Sequence, residues 1–399
     1  MVFPAVVIDR DALVALCGRL VGRPSPSGGE GDVAAEVGRV MTELGYDEVR
    51  VDELGNVVGV MRGRSRGCVV FDGHMDTVGV GRQEAWASDP FTLTERDGSL
   101  YGRGIADMKG AIAGMLLGVA ALRRAAEELP ADVVVSCSVC EEVVEGAALG
   151  HVLDRVDARA VVIGESTDLR LNVGQRGRAE LLVETTGLPS HSSTPELGRN
   201  AVKMMARVIE RLSDIEPAHH PVLGVGILEV TDVRSAPYPG LSVVPEYCGA
   251  TFDRRLLVGE DEASVLAGVE RVLKELRAAD PTLTVSVRVP ESDVVTYPGT
   301  PLIARKFAPA WLFPPDHPLV RAGLAALGAA GLPAHLGTYA FCTNGSESAG
   351  RRGIPTVGFG PGSEQQAHRI DEHCAVEDLV AAARAYAALA WGLGAAVAR

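Results

Sequence analysis

The sequence predicts an α/β protein: a mixed, mostly parallel sheet with helices on both faces, interrupted by a smaller α+β insert. Three observations carry this expectation. Short apolar runs alternate with helix-like stretches up to about Val173, in a βαβ rhythm that resumes near the carboxyl end. From Arg178 the order changes to βαββαβ, that of a compact antiparallel sheet with two helices on one face, a ferredoxin-like module. The 399 residues also exceed what one hydrophobic core usually holds, and 47% hydrophobic with only 5% aromatic content points to cores of Val, Leu and Ala. The expected division is 1–177 and 291–399 for the larger domain, with 178–290 inserted between them.

In chain order, Gly31 to Leu44 reads as a helix, Val57 to Met61 and Cys68 to Phe71 as strands, and Met108 to Glu128 as a helix. That helix is apolar almost all round and is therefore expected at the centre of the fold. Val133 to Val139 and Ala160 to Ile163 read as strands, with a helix at Ala147 to Leu153. In the insert the order is strand Ala179 to Thr186, helix Asn200 to Leu212, strands near Val225 to Val233 and Cys248 to Leu256, helix Ala263 to Arg277 and strand Leu283 to Val289. The Pro-rich stretch Phe307 to His317 reads as an irregular surface loop, after which strand Gly353 to Phe359 and helix Val376 to Leu393 return to the first pattern. Three strand runs end in GHMD, EE and GEST, so their polar residues converge on the edge where open α/β sheets build sites.

A formal charge of -14 and the absence of a basic run argue against a nucleic-acid partner. The first residues, MVFPAVVIDRDALVALCGRL, have Asp9, Arg10 and Asp11 inside the apolar stretch and no basic leader before a cleavage site. The strongly apolar stretch Ala111 to Leu122 falls short of the roughly 20 residues that span a bilayer. Seven scattered cysteines without a leader suit a reducing, cytoplasmic setting, and Cys137 and Cys140 lie in an apolar strand run as core thiols. GVG at Gly79 to Gly81 and GFGPG at Gly358 to Gly362 lack a strand-to-helix dinucleotide context.

His74 and Asp76 form a His-x-Asp at a strand end. Asp107, in YGRGIADMKG, is read either as a helix N-cap or as a metal ligand. Adjacent Glu141 and Glu142 would repel unless a cation or shared proton compensated; the plain alternative is a surface turn. Glu165, in GEST, is a loop cap or another ligand, and His368, in EQQAHRIDE, is an inert loop histidine or the last ligand. Taken together, His74, Asp107, Glu142, Glu165 and His368 supply two imidazoles and three carboxylates, a mixed N/O set suited to paired Zn, Mn or Co.

The whole ordered set of motifs resembles the co-catalytic metal hydrolases that include acetylornithine deacetylase, succinyl-diaminopimelate desuccinylase, carboxypeptidase G and aminoacylase. The motifs are GHMDTV, YGRGIADMKG, EE, GEST, SHSSTPELGRNA, FDRRLL, and GFGPG with AHRIDE. The carboxyl-terminal stretch looks most similar to the subgroup of selenium-metabolism-linked hydrolases. The resemblance implies a zinc-exopeptidase-like sheet with an inserted lid and dimerisation domain, and two divalent ions per subunit, Zn first and Co or Mn as alternatives. It assigns His74 and Glu165 to one ion, Glu142 and His368 to the other, and Asp107 to both. Glu141 would be the general base, and Asp76 would orient His74, with direct ligation as its alternative. His191 matches the lid histidine that stabilises an oxyanion, in its own or a partner's active site, and Arg255 the arginine that receives the substrate carboxylate, against a plain salt bridge at a strand end. Asn344, Gly345 and Ser346 stand where a small polar loop meets substrate.

Two departures concern substrate: EEVVEG lacks a glycine-rich continuation, and Glu347 stands where desuccinylases carry a small hydroxyl residue. The expected function is hydrolysis of the amide bond of a small N-acylated amino acid or related compound by a metal-bridged water. Alternatives are a di- or tripeptidase or carboxypeptidase on the same centre and, from another class, a non-catalytic metal-containing binding protein.

Overall fold

The computed structural model describes residues 3–398, apart from the side chain of Arg66. The chain divides into a main unit (Met1–Gln175, Asp293–Ala304 and Trp311–Arg399) and an insert (Arg176–Ser292 and Arg305–Ala310).

The main unit is built on a nine-stranded sheet. Its order is Glu48–Val51, Val57–Met61, Leu129–Ser138, Gly63–His74, Ala158–Ile163, Thr356–Gly358, Leu171–Gln175 and Trp311–Leu312, with Leu336–Tyr339 also pairing Leu171–Gln175. The centre is parallel: Gly63–His74 runs parallel to both Leu129–Ser138 and Ala158–Ile163, and Thr356–Gly358 runs parallel to Ala158–Ile163. Antiparallel pairs flank this centre. Strand alternation divides the apolar residues between two faces. Val69, Phe71, Val133, Val135 and Val162 pack with helices Arg10–Val21, Gly31–Glu43, Gly110–Ala125 and Val376–Val397. Cys68, Val70, Val134, Val161 and Ile163 pack with helix Ala147–Leu153. Both faces carry helices, but the first holds most of them.

Several elements differ from expectation for physical reasons. The strand expected over Cys68 to Phe71 extends over Gly63–His74, because its ends still pair with Leu129–Ser138. The helix expected from Met108 starts at Gly110, after a π turn in which Asp107 and Met108 have non-helical angles, and it ends at Ala125. Helix Arg10–Val21 was hidden in the charged amino-terminal stretch: Asp9 caps it by accepting from Asp11 N and Ala12 N. The Pro-rich stretch is not wholly irregular, since Phe307–Ala308 pairs with Gly177–Thr186 and Trp311–Leu312 pairs with Leu171–Gln175. Pro309, which has no N–H to donate, falls between these two short pairings. The apolar stretch read over Ala111 to Leu122 as too short to span a membrane is also corrected. The π turn with its helix, Ile105–Ala125, and helix Val376–Val397 reach that length and hydropathy, but their apolar stretches are 89% and 56% buried within the fold. All seven cysteines are buried free thiols, and burial pushes those of Cys137 and Cys140 above the usual range.

The insert is a five-stranded antiparallel sheet ordered Ile227–Ala236, Tyr247–Leu256, Gly177–Thr186, Thr284–Arg288, with Phe307–Ala308 on Gly177–Thr186. This spatial order, second-third-first-fourth, is that of a ferredoxin-like module. Helix Ala201–Ser213 starts at Asn200, whose side chain accepts from Lys203 N, and helix Glu262–Ala279 starts in a capping box between Asp261 and Ser264. Both helices bury their apolar faces (Met204, Met205, Val208, Val269, Leu273) against Leu181, Val183 and Phe252.

In the main unit, Gly118 brings helix Gly110–Ala125 against helix Val376–Val397: a Cβ there would lie 2.2 Å from the Ala383 carbonyl oxygen. Alanine would gain about 0.5–1 kcal/mol in helix propensity, but it would force two buried backbones apart, at a cost of about 1–3 kcal/mol. We therefore predict that Gly118→Ala is destabilising; a urea midpoint equal to or above that of the parent protein would refute this packing argument.

Candidate metal centre

The parallel register brings the site together. His74 pairs with Ser138 at the ends of adjacent strands, and Asp72 pairs with Ile163 on the other side. The chains that leave these ends carry Asp76, Glu141 with Glu142, and Glu165. Asp107 arrives from the turn before the central helix, and His368 from a loop in which its own φ is +63°.

Asp107 stands between the two imidazoles. Its Oδ1 lies 2.9 Å from His74 Nε2, and its Oδ2 lies 3.3 Å from His368 Nε2. Glu165 Oε1 is 3.2 Å from His74 Nε2, and Glu142 Oε2 is 3.0 Å from His368 Nε2. The contacts fall into two halves that share Asp107. No side-chain capping bond is made at the start of the helix that follows Asp107, so the N-cap alternative does not describe it. Asp76 supports both halves from below. Its Oδ1 and Oδ2 accept from Glu141 N and Glu142 N at 3.1 Å each, and Oδ2 accepts from Ser27 Oγ at 2.7 Å. His74 Nδ1 lies 2.9 Å from the Asp76 carbonyl oxygen and 3.5 Å from its Oδ1.

The donor set fits divalent cations. One atom each of His74, Asp107 and Glu142 lie within 4.8 Å of one another, as do single atoms of His74, Glu141 and Glu165. Ligand atoms around a tetrahedral zinc at its usual bond lengths are roughly 3.3 Å apart, close to the separations seen here. Glu141 Oε1 and Glu142 Oε1 are buried without a hydrogen-bond partner. Burial pushes Glu141 well above the usual carboxylate range, and burial together with the Asp107 charge pushes Glu165 up to about 7. Burial acts the same way on Asp107, but the two histidines outweigh it and hold that carboxylate low. His368 is raised to about 10 by Asp107 and Glu142. Crowded buried carboxylates and proton-laden histidines are what a pair of cations would relieve.

The remaining expected residues lie in different settings. Asn344 is buried: its Oδ1 accepts from Gly146 N at 2.6 Å, and its Nδ2 donates to Asp72 Oδ2 at 2.8 Å and Ser138 Oγ at 3.0 Å. The backbone N–H of Gly345 donates to Thr343 Oγ1, and buried Ser346 begins a π turn. Glu347 turns to Arg351 and Arg352. His191 and Arg255 belong to the insert. His191 is exposed, with Nδ1 accepting from Ser193 N at 3.0 Å, and Arg255 Nε is 2.7 Å from Asp253 Oδ1, the salt-bridge alternative.

Sequence reasoning missed Glu372. It is fully buried and accepts from Arg103 Nη1 and from the N–H groups of Gly104, Ala106 and Asp107, at 2.6 to 3.1 Å. It thus clamps the turn that presents Asp107. The signal available was its place in AHRIDE, four residues after His368. The GFGPG motif has a packing explanation: a Cβ on Gly360 would lie 2.4 Å from the carbonyl oxygens of Gly164 and Glu165.

Two predictions follow from this geometry. Glu372→Ala should lower metal affinity by about 10- to 100-fold while the circular dichroism spectrum is retained; parent-like affinity by competition with a chelator would count against the clamp. Titrating metal-free protein with Zn at pH 7 should release protons from His368 and Glu165, because ligands must bind deprotonated. Calorimetric heats that do not depend on the ionisation enthalpy of the buffer would contradict it.

Comparison with known proteins agrees with this geometry. Residues 70–392 match the peptidase family M20/M25/M40. The chain is 31% identical over 375 residues to the uncharacterized protein YgeY of Escherichia coli (strain K12), covering 93% of this chain and 91% of that protein. It is 32% identical over 315 residues to a succinyl-diaminopimelate desuccinylase of Cereibacter sphaeroides, covering 73% and 81%. The fold is shared with the di-peptidase Dug1p of Saccharomyces cerevisiae, with a TM-score of 0.76 at 14% identity over 96% of each chain. A family match across most of the chain, on a fold whose central sheet edge gathers two histidines and four carboxylates, places this protein in peptidase family M20/M25/M40.

Proposed function

We propose that this protein is a metal-dependent amidohydrolase that cleaves the amide bond of a small N-acylated amino acid or a short peptide. The observation that carries the reading is the division of His74, Glu165, Glu142 and His368 into two halves around Asp107, with the buried, unpartnered oxygen of Glu141 beside them. Two divalent cations, Zn before Co or Mn, would be held by His74 and Glu165 on one side and by Glu142 and His368 on the other, with Asp107 shared. When bound, they would polarise the substrate carbonyl and bring the pKa of water towards neutrality.

Glu141 serves as the general base: its carboxylate takes the proton of the attacking water and returns it to the departing nitrogen. Burial raises its proton affinity, which suits a group that must hold a proton between two steps. Asp76 keeps the backbone of Glu141 and Glu142 and the ring of His74 in register. His191 and Arg255 are read, by family likeness, as the oxyanion donor and the carboxylate receiver. The exposed apolar residues Ile227 and Val233 on the edge strand of the insert support homodimerisation through that strand. The buried free thiols agree with a cytoplasmic setting.

Glu141→Gln should keep two equivalents of metal but lose turnover by about 10²- to 10⁴-fold. The assay is a panel of N-acyl amino acids and dipeptides with metal-replete protein. Hydrolysis of the acyl substrates alone would make this a deacylase, dipeptide hydrolysis alone a peptidase, and near-normal turnover by Glu141→Gln would remove Glu141 from the mechanism.

A further inference from the structure

Four consecutive backbone N–H groups run through the turn that presents the two glutamates, and each is taken by a side chain from elsewhere in the main unit. Val139 N donates to Asn56 Oδ1 at 3.1 Å and Cys140 N to Glu30 Oε1 at 3.0 Å. Glu141 N and Glu142 N donate to the two oxygens of Asp76. The turn lies outside any helix or strand, and Cys140 sits in the left-handed region at φ +56°. That conformation costs a non-glycine residue about 1–3 kcal/mol and persists only where the surroundings hold it.

Asp76 alone leaves this turn a freedom. Two bonds to one carboxylate fix the Glu141 and Glu142 peptides to a single small group, about whose Cβ–Cγ axis the turn could still swing. Acceptors on the two preceding peptides remove that freedom. Glu30 is fully buried, and the same Oε1 also accepts from Gly28 N at 3.0 Å and from Cys140 Sγ at 3.5 Å. It closes the segment Ser25 to Glu30, which is already stitched to the His74 loop: Thr77 N donates to the Ser25 carbonyl, Ser25 Oγ to the Met75 carbonyl and Ser27 Oγ to Asp76. One short loop thus ties the Asp76 support to the turn of the base.

We propose that Glu30 is a positioning residue for Glu141: by holding the Cys140 N–H it sets the direction in which the next side chain leaves the turn. It touches no reacting atom and acts through the peptide it binds. The inference rests on the reading of Glu141 as general base. An error of about 1 Å in the placement of such a group can cost about 100-fold in rate, so the expected effect falls on kcat.

The test uses metal-replete full-length protein and the best amide of the panel, with metal content, kcat and KM measured for Glu30→Ala, Glu30→Met, Glu30→Gln and Glu141→Gln. Methionine fills the space of Glu30 without an oxygen acceptor and serves if the alanine variant fails to fold; glutamine keeps one oxygen acceptor, removes the charge and puts an amide NH2 in place of the second oxygen. The proposal expects the acceptor-free variants to bind two equivalents of metal with unchanged KM and to lose about 10- to 100-fold in kcat, with glutamine restoring kcat close to that of the parent. It is overturned if an acceptor-free variant turns over like the parent, if kcat falls only in proportion to lost metal, or if glutamine is as impaired as methionine. Should Glu141→Gln itself remain active, the functional reading fails; if it is inactive while Glu30→Met is normal, only the positioning role fails.

Discussion

Asp107, Glu141, Glu142 and Glu165 lie together at one largely buried edge of the sheet, and much of the main unit is arranged around keeping them there. Removing a carboxylate from water costs several kcal/mol unless hydrogen bonds or cations replace the lost solvation. The replacements visible are two imidazoles, those of His74 and His368. Asp107 faces both histidines, whereas Glu141 and Glu142 each keep one buried oxygen without a partner. The fold therefore crowds carboxylates that it does not itself fully satisfy, a setting that divalent cations would relieve.

Holding such a centre needs stiffness in loops that have no regular structure of their own. Buried carboxylates provide it by accepting backbone N–H groups: Asp76 takes two on the glutamate turn, and Glu372 takes three on the Asp107 turn together with Arg103. Asn344 does related work further down, linking Gly146 to Asp72 and Ser138. An acidic side chain distant in sequence from the group it supports thus fixes that group in space, which is why changes at these supports act on the metal centre.

Much of this was legible in the sequence. Apolar runs ending in polar residues are enough to place His74, Glu142 and Glu165 at one sheet edge, because parallel strands end together. The βαββαβ order was enough to recognise the ferredoxin-like insert. Other parts were not legible. The helix Arg10–Val21 looked like a broken apolar stretch because its capping residue and its charges are local features that also occur in loops. The Pro-rich stretch hid two short pairings, since a two-residue strand has no period to detect. Asn344 was read as a substrate contact by likeness, while the structure gives its amide three partners inside the protein.

By itself, the sequence determined the alternation of strands and helices, the residue types at the metal centre and their order along the chain, because periodicity and motif spacing are local properties. Only the tertiary structure decided that the two oxygens of Asp107 divide between His74 and His368, and that Glu30, Asn56 and Glu372 brace the turns carrying the reactive groups. These contacts join residues up to 269 positions apart, as between Arg103 and Glu372. No local pattern marks a glutamate as the acceptor for a particular distant N–H; that pairing exists once the sheet has set the register and burial leaves each donor one partner to find.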